Sequence, residues 1–144
     1  MTSRRFAGIV SLLLILLFVY TAGSKLADYD NFQFGLSESP YIASYAGMLA
    51  WAIPGVELLI VALLLFPSFR LTGLYASFVL MLLFTLYIAA MLLSGMDIPC
   101  SCGGVLEEMS WSMHIVFNSV FVVLSAIAII LETKQRRQVV KLAG

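Results

Sequence analysis

The two cysteines of this chain, Cys100 and Cys102, stand one residue apart in the run Asp97-Ile98-Pro99-Cys100-Ser101-Cys102-Gly103-Gly104. Residues two apart can bring their Cα atoms within the roughly 4.4–6.8 Å that a disulfide tolerates, so an internal bridge is feasible. The ring it closes is so small that the chain-entropy gain is slight, and strained, exposed disulfides are the exchangeable, more oxidising kind. Pro99, Gly103 and Gly104 let the backbone take unusual angles. The spacing therefore points to a redox-active pair performing thiol–disulfide exchange. Two readings compete with it. One is an inert pair; the other is a soft-metal site completed by His114 and a carboxylate, although zinc sites usually place two to four residues between cysteines. Asp97, Glu107 and Glu108 disfavour a thiolate, and the positive end of a helix starting near Ser110 offsets them.

His114 is the sole histidine. Asn118, Phe121 and Ser125 follow it at helical intervals, so all four share one face, expected to look into a bundle. The imidazole is a candidate proton relay for thiol exchange or, equally, a group hydrogen-bonded to a neighbouring helix. Glu57 lies deep in an apolar run, in Pro54-Gly55-Val56-Glu57-Leu58-Leu59. An ionised carboxylate there is costly unless it is paired or near water. Pro54 removes one helical amide bond and frees a carbonyl a turn earlier, which admits polar groups at that depth. Candidate partners are Lys25 and the face carrying His114 and Asn118. The functional reading of Glu57 is a proton site or ligand anchor; the structural one is a neutral, hydrogen-bonded acid that locks the bundle.

The elements that must hold these residues follow from composition. The 144 residues are 62% hydrophobic and 11% charged, with mean hydropathy +1.03, too apolar for a small water-soluble domain. Four apolar runs, 6–22, 41–66, 71–93 and 111–131, are each long enough to cross a hydrocarbon core with ordinary tilt. No β alternation is present, and lipid requires internally paired backbone, so the runs are read as helices. The expected fold is all-α, a single integral membrane four-helix bundle. Lys+Arg and Asp+Glu balance at 8 each, which gives no pull toward nucleic acid.

Basic residues set the expected topology. Arg4, Arg5, Arg70, Lys134, Arg136, Arg137 and Lys141 fall on one side and Lys25 alone on the other, so both termini are expected in the cytoplasm, with outer loops 23–40 and 94–110. The first run also resembles an export signal; an uncleaved helix is preferred because four spans satisfy the charge rule and three do not. Pro67-Ser68-Phe69-Arg70 reads as a tight turn between adjacent antiparallel helices. Leu26, Tyr29 and Phe32 recur at helical spacing and predict a short helix along the membrane surface. Residues 132–144 read as a short basic tail suited to anionic lipid, and Gly73 with Ser77 as a candidate contact in a homodimer.

Three stretches carry a likeness to a known family: Gly23-Ser24-Lys25-Leu26 closing the first helix, Pro54-Gly55-Val56-Glu57 in the second, and the CxCGG stretch before the fourth. In these the chain resembles the MauE/DoxX-like family of small four-helix membrane proteins, and the CxC points to its MauE-like, redox-associated branch. The chain has Gly103 where that branch often has an aromatic residue before the glycine. The resemblance implies membrane support for envelope disulfide chemistry beside a thioredoxin-fold partner, as in maturation of methylamine dehydrogenase. It implies Cys100 and Cys102 as the exchanging pair and Lys25 and Glu57 as polar bundle positions, and it assigns nothing to His114.

The expectation is therefore a thiol–disulfide redox protein of the bacterial inner (cytoplasmic) membrane with its CxC extracytoplasmic. Its catalytic group would be Cys100, Cys102 and His114. With no cysteine on the cytoplasmic side, a membrane quinone or a second protein must complete the electron circuit. A quinone would suit an apolar cavity flanked by Glu57, Asn118, Lys25 and aromatic side chains. The rivals are a non-catalytic anchor or assembly subunit and a small proton-coupled transporter using Glu57.

Overall fold

The computed structural model describes residues 2–95 and 109–144. The described residues form helices joined by short turns, with no strand among them, in the order α1 (Thr2–Ala27), α2 (Tyr29–Ser37), a 3-10 turn at Ala43–Tyr45, α3 (Ala46–Leu65), α4 (Arg70–Leu93) and α5 (Trp111–Ala143). The four long helices are each long and apolar enough to cross a membrane. Their large apolar side chains are widely exposed, Leu12, Leu16, Leu59, Leu83 and Val116 among them, as lipid-facing surfaces require.

The buried positions of α1 run Ala7, Val10, Ser11, Leu14, Phe18, Thr21, Ala22 and Lys25, a stripe of threes and fours that keeps one face inward along the whole helix. Lys25 belongs to that stripe, so α1 continues past the apolar run to Ala27 and carries a charged side chain into the interior. In cross-section α1 packs between α3 and α5, and α4 packs between the same two on the opposite side. A tight turn at residues 66–69 joins α3 to α4, with Phe69 N donating to Phe66 O.

Gly73 meets Leu64 across that junction. A Cβ placed on Gly73 would lie 2.9 Å from Leu64 Cδ2 and 3.1 Å from its backbone nitrogen. Ser77 is fully buried and donates to Gly73 O. The expected intermolecular role of Gly73 and Ser77 is thus corrected: the small side chains let α4 approach α3 within one chain. The basic tail is helical. Residues 132–143 continue α5, and Arg136 folds back to donate to the carbonyls of Pro67 at 3.1 Å and Ser68 at 3.5 Å.

Two apolar clusters hold the bundle. The larger joins Leu14 and Phe18 of α1 with Ile60 and Leu64 of α3, Leu74 and Met81 of α4, and Ala128 of α5. The smaller sets Phe32 and Leu36 of α2 on Ala46 and Ala50 of α3. The short helix expected around Tyr29 and Phe32 is thus present as α2 and packs on the start of α3, where Tyr29 meets Trp51 with ring centroids 5.0 Å apart.

Candidate functional site

Between these clusters lies a cavity of about 400 Å³. Its walls come from the last third of α1, from α2, from the first half of α3, the second half of α4 and the first two turns of α5. They are mostly apolar, with six aromatic residues: Phe18, Phe32, Phe84, Tyr87, Trp111 and Phe117. Thr21, Lys25, Glu57, His114 and Asn118 are the polar exceptions.

Lys25 and Glu57 are brought together there. Nζ of Lys25 donates to Oε1 of Glu57 at 2.5 Å, and the two side chains are only 5% and 1% exposed. Thr21, one turn before Lys25 on the same face, donates to the same oxygen at 3.3 Å. The lysine ammonium also sits 5.7 Å from the Phe32 ring centroid and 5.4 Å from that of Phe84, where ring faces stabilise a desolvated cation. The opposite charges meet the condition under which ions persist away from water. The second carboxylate oxygen is different. Among the described residues, Oε2 of Glu57 is buried without a hydrogen-bond partner. An acceptor left so costs about 1–3 kcal/mol.

The opposing wall is the start of α5. Ser110 caps it, its side chain accepting from Met113 N at 3.4 Å. One turn in, His114 is 2% exposed, Asn118 follows at 4% and Ser125 is fully buried. The inward face read from their spacing is present, with Phe121 half-buried beside it. Tyr87 of α4 closes another side and donates to Oγ of the fully buried Ser39 at 2.8 Å.

Of the residues singled out by sequence, Lys25, Glu57, His114 and Asn118 line one cavity, and Lys25 and Glu57 are in contact. Cys100 and Cys102 lie outside the described residues. Among the described residues no three His, Cys, Asp or Glu side chains converge to hold a metal. Thr21, Phe32, Phe84 and Tyr87 were not identified from sequence as parts of a site. The first of these had a signal, since Thr21 precedes Lys25 by four residues; Phe32 was read only as part of the short helix, and Phe84 and Tyr87, aromatic residues within an apolar helix, have none.

The model of the family described as methylamine utilisation protein MauE matches residues 3–131 of the chain. No curated protein and no solved structure matches it significantly.

Proposed function

Because the chain belongs to the MauE family, a multi-pass membrane protein by its four apolar spans, we propose that it supports thiol–disulfide chemistry at the outer face of the bacterial cytoplasmic membrane. The observation that carries this reading is the placing of its two cysteines, the chain's only thiols, one residue apart in the connection between α4 and α5. Both termini are cytoplasmic in this reading and the connection is extracytoplasmic, the orientation that the distribution of basic residues favours.

In one cycle a thiolate of a reduced thioredoxin-fold partner attacks one sulfur of the Cys100–Cys102 disulfide. A mixed disulfide forms and one cysteine of this chain leaves as thiolate. The partner's second thiolate then attacks the mixed disulfide and frees the other cysteine. The partner leaves oxidised and this chain reduced, with two electrons and two protons transferred; the reverse sequence runs the other way. His114, one turn into α5, relays protons between the sulfurs and water. Reoxidation of the pair needs a further two-electron acceptor, since the chain has no other thiol.

The test converts Cys100 and Cys102 separately to Ala and looks for a mixed disulfide with an envelope protein. One variant is expected to accumulate a reducible adduct that the wild type turns over. Empty lanes for both, together with a wild type that cycles no thiol, remove the assignment. Full function with both cysteines changed to Ser would indicate an assembly subunit. Loss with Glu57→Gln alone, with the cysteines dispensable, would indicate a proton-coupled carrier.

A further inference from the structure

The half of the bundle that holds the cavity has an incomplete polar site. Oε1 of Glu57 takes both donors, Lys25 and Thr21. Oε2 belongs to the same side chain, 1% exposed and on the cavity wall, and has no donor among the described residues. Lys25 cancels the charge of the carboxylate and is held on its other side by the rings of Phe32 and Phe84. The site is neutral as a pair yet retains one acceptor. It suits an uncharged hydrogen-bond donor; a cation would be repelled by Lys25 and an anion by Glu57.

The walls restrict that donor further. A volume of about 400 Å³ falls within the roughly 300–1,000 Å³ of small-ligand pockets, and the aromatic lining suits a flat ring. The long helices expose large apolar side chains, as a surface in lipid does, so the ligand sought is one that dissolves in the bilayer.

We propose that this cavity binds a bilayer-soluble hydroquinone, its ring against the aromatic wall and one hydroxyl donating to Oε2 of Glu57. The oxidised quinone has only carbonyl acceptors to present to that oxygen and binds more weakly. Hydrogen bonds to charged groups correspond to roughly ten- to hundredfold in affinity. Each tenfold preference for the reduced form raises the potential of the bound two-electron couple by about 30 mV. Quinone plus the Cys100/Cys102 dithiol would yield hydroquinone plus the disulfide, two electrons and two protons passing from sulfur to ring. That coupling rests on the thiol reading above; the binding does not.

The test is therefore made on full-length chain with both cysteines changed to Ser. Trp51→Phe is added, so that Trp111, on the cavity wall, is the sole tryptophan. In phosphatidylcholine nanodiscs, Trp111 emission is titrated with a decyl-tailed hydroquinone, its dimethyl ether, the matching quinone and decanol. Affinities are confirmed by ligand-induced shifts of the unfolding midpoint. Saturable hydroquinone binding is expected, with the ether and quinone ten- to hundredfold weaker and decanol without a saturable response. Glu57→Gln keeps an oxygen for Lys25 and presents an amide donor where Oε2 was, so it should reverse the preference in favour of quinone. Lys25→Met/Glu57→Leu, which replaces the pair by apolar side chains of similar size, should abolish the preference. Equal affinity for hydroquinone and ether, tight decanol binding, or an unchanged preference in either variant overturns the proposal.

Discussion

Lys25 of α1 and Glu57 of α3, 32 residues apart in sequence, meet at 2.5 Å in the interior of the bundle. Their pairing fixes the register of the two helices over the cavity, because neither charge has another opposite partner among the described residues.

Removing one member should be worse than removing both. Lys25→Met or Glu57→Leu alone leaves a lone buried charge and is expected to destabilise the fold by about 3–5 kcal/mol, whereas the double replacement costs much less than the sum. Unfolding in mixed detergent micelles measures the cycle. Additive single effects would show that the two side chains are not coupled.

Gly73→Ala should destabilise by about 1–3 kcal/mol, since the new methyl meets the backbone nitrogen of Leu64 as well as its side chain. Gly23→Ala and Gly55→Ala meet nothing within 4 Å and should be neutral or gain up to about 1 kcal/mol from helix propensity. The same thermal melts report all three. A harmless Gly73→Ala would mean that α3 and α4 are farther apart than described.

Tyr87→Phe deprives the buried Ser39 hydroxyl of its donor. The expected cost is about 1–3 kcal/mol, with Ser39→Ala in the same chain recovering most of it. If the second change adds to the loss instead, the two hydroxyls do not form a pair.

Ser110→Ala removes the cap of α5 and should cost about 0.5–2 kcal/mol. The loss is local. Hydrogen exchange at the amides of Met113 and His114 should quicken, while that at Ser125 keeps its rate. Uniform acceleration along α5 would argue against a frayed first turn.

The four spans were legible because lipid imposes length and apolarity on each helix separately. So was the inward face of His114, Asn118 and Ser125, which needs only the 3.6-residue period. Glu57 declared its need for a partner by its depth, and Lys25 was among the candidates. What could not be read depends on neighbours. Lys25 interrupts the apolar run of α1 but not the helix, because its charge is neutralised by a residue on another helix. Gly73 and Ser77 form a small-residue patch that serves equally within a chain or between chains, and only the position of Leu64 decides. The packing of α2 on α3, the Tyr87–Ser39 bond and the return of Arg136 to the turn after α3 likewise join segments with no shared periodicity.

The opposite charges of Lys25 and Glu57 have an electrical consequence. An isolated elementary charge moved across an energised bilayer would feel about 2.3 kcal/mol per 100 mV. Two opposite charges 2.5 Å apart experience nearly the same local voltage, so their energies almost cancel and only a small dipole remains. The pair is thus close to electrically silent, and an uncharged ligand can settle against it without carrying charge through the field.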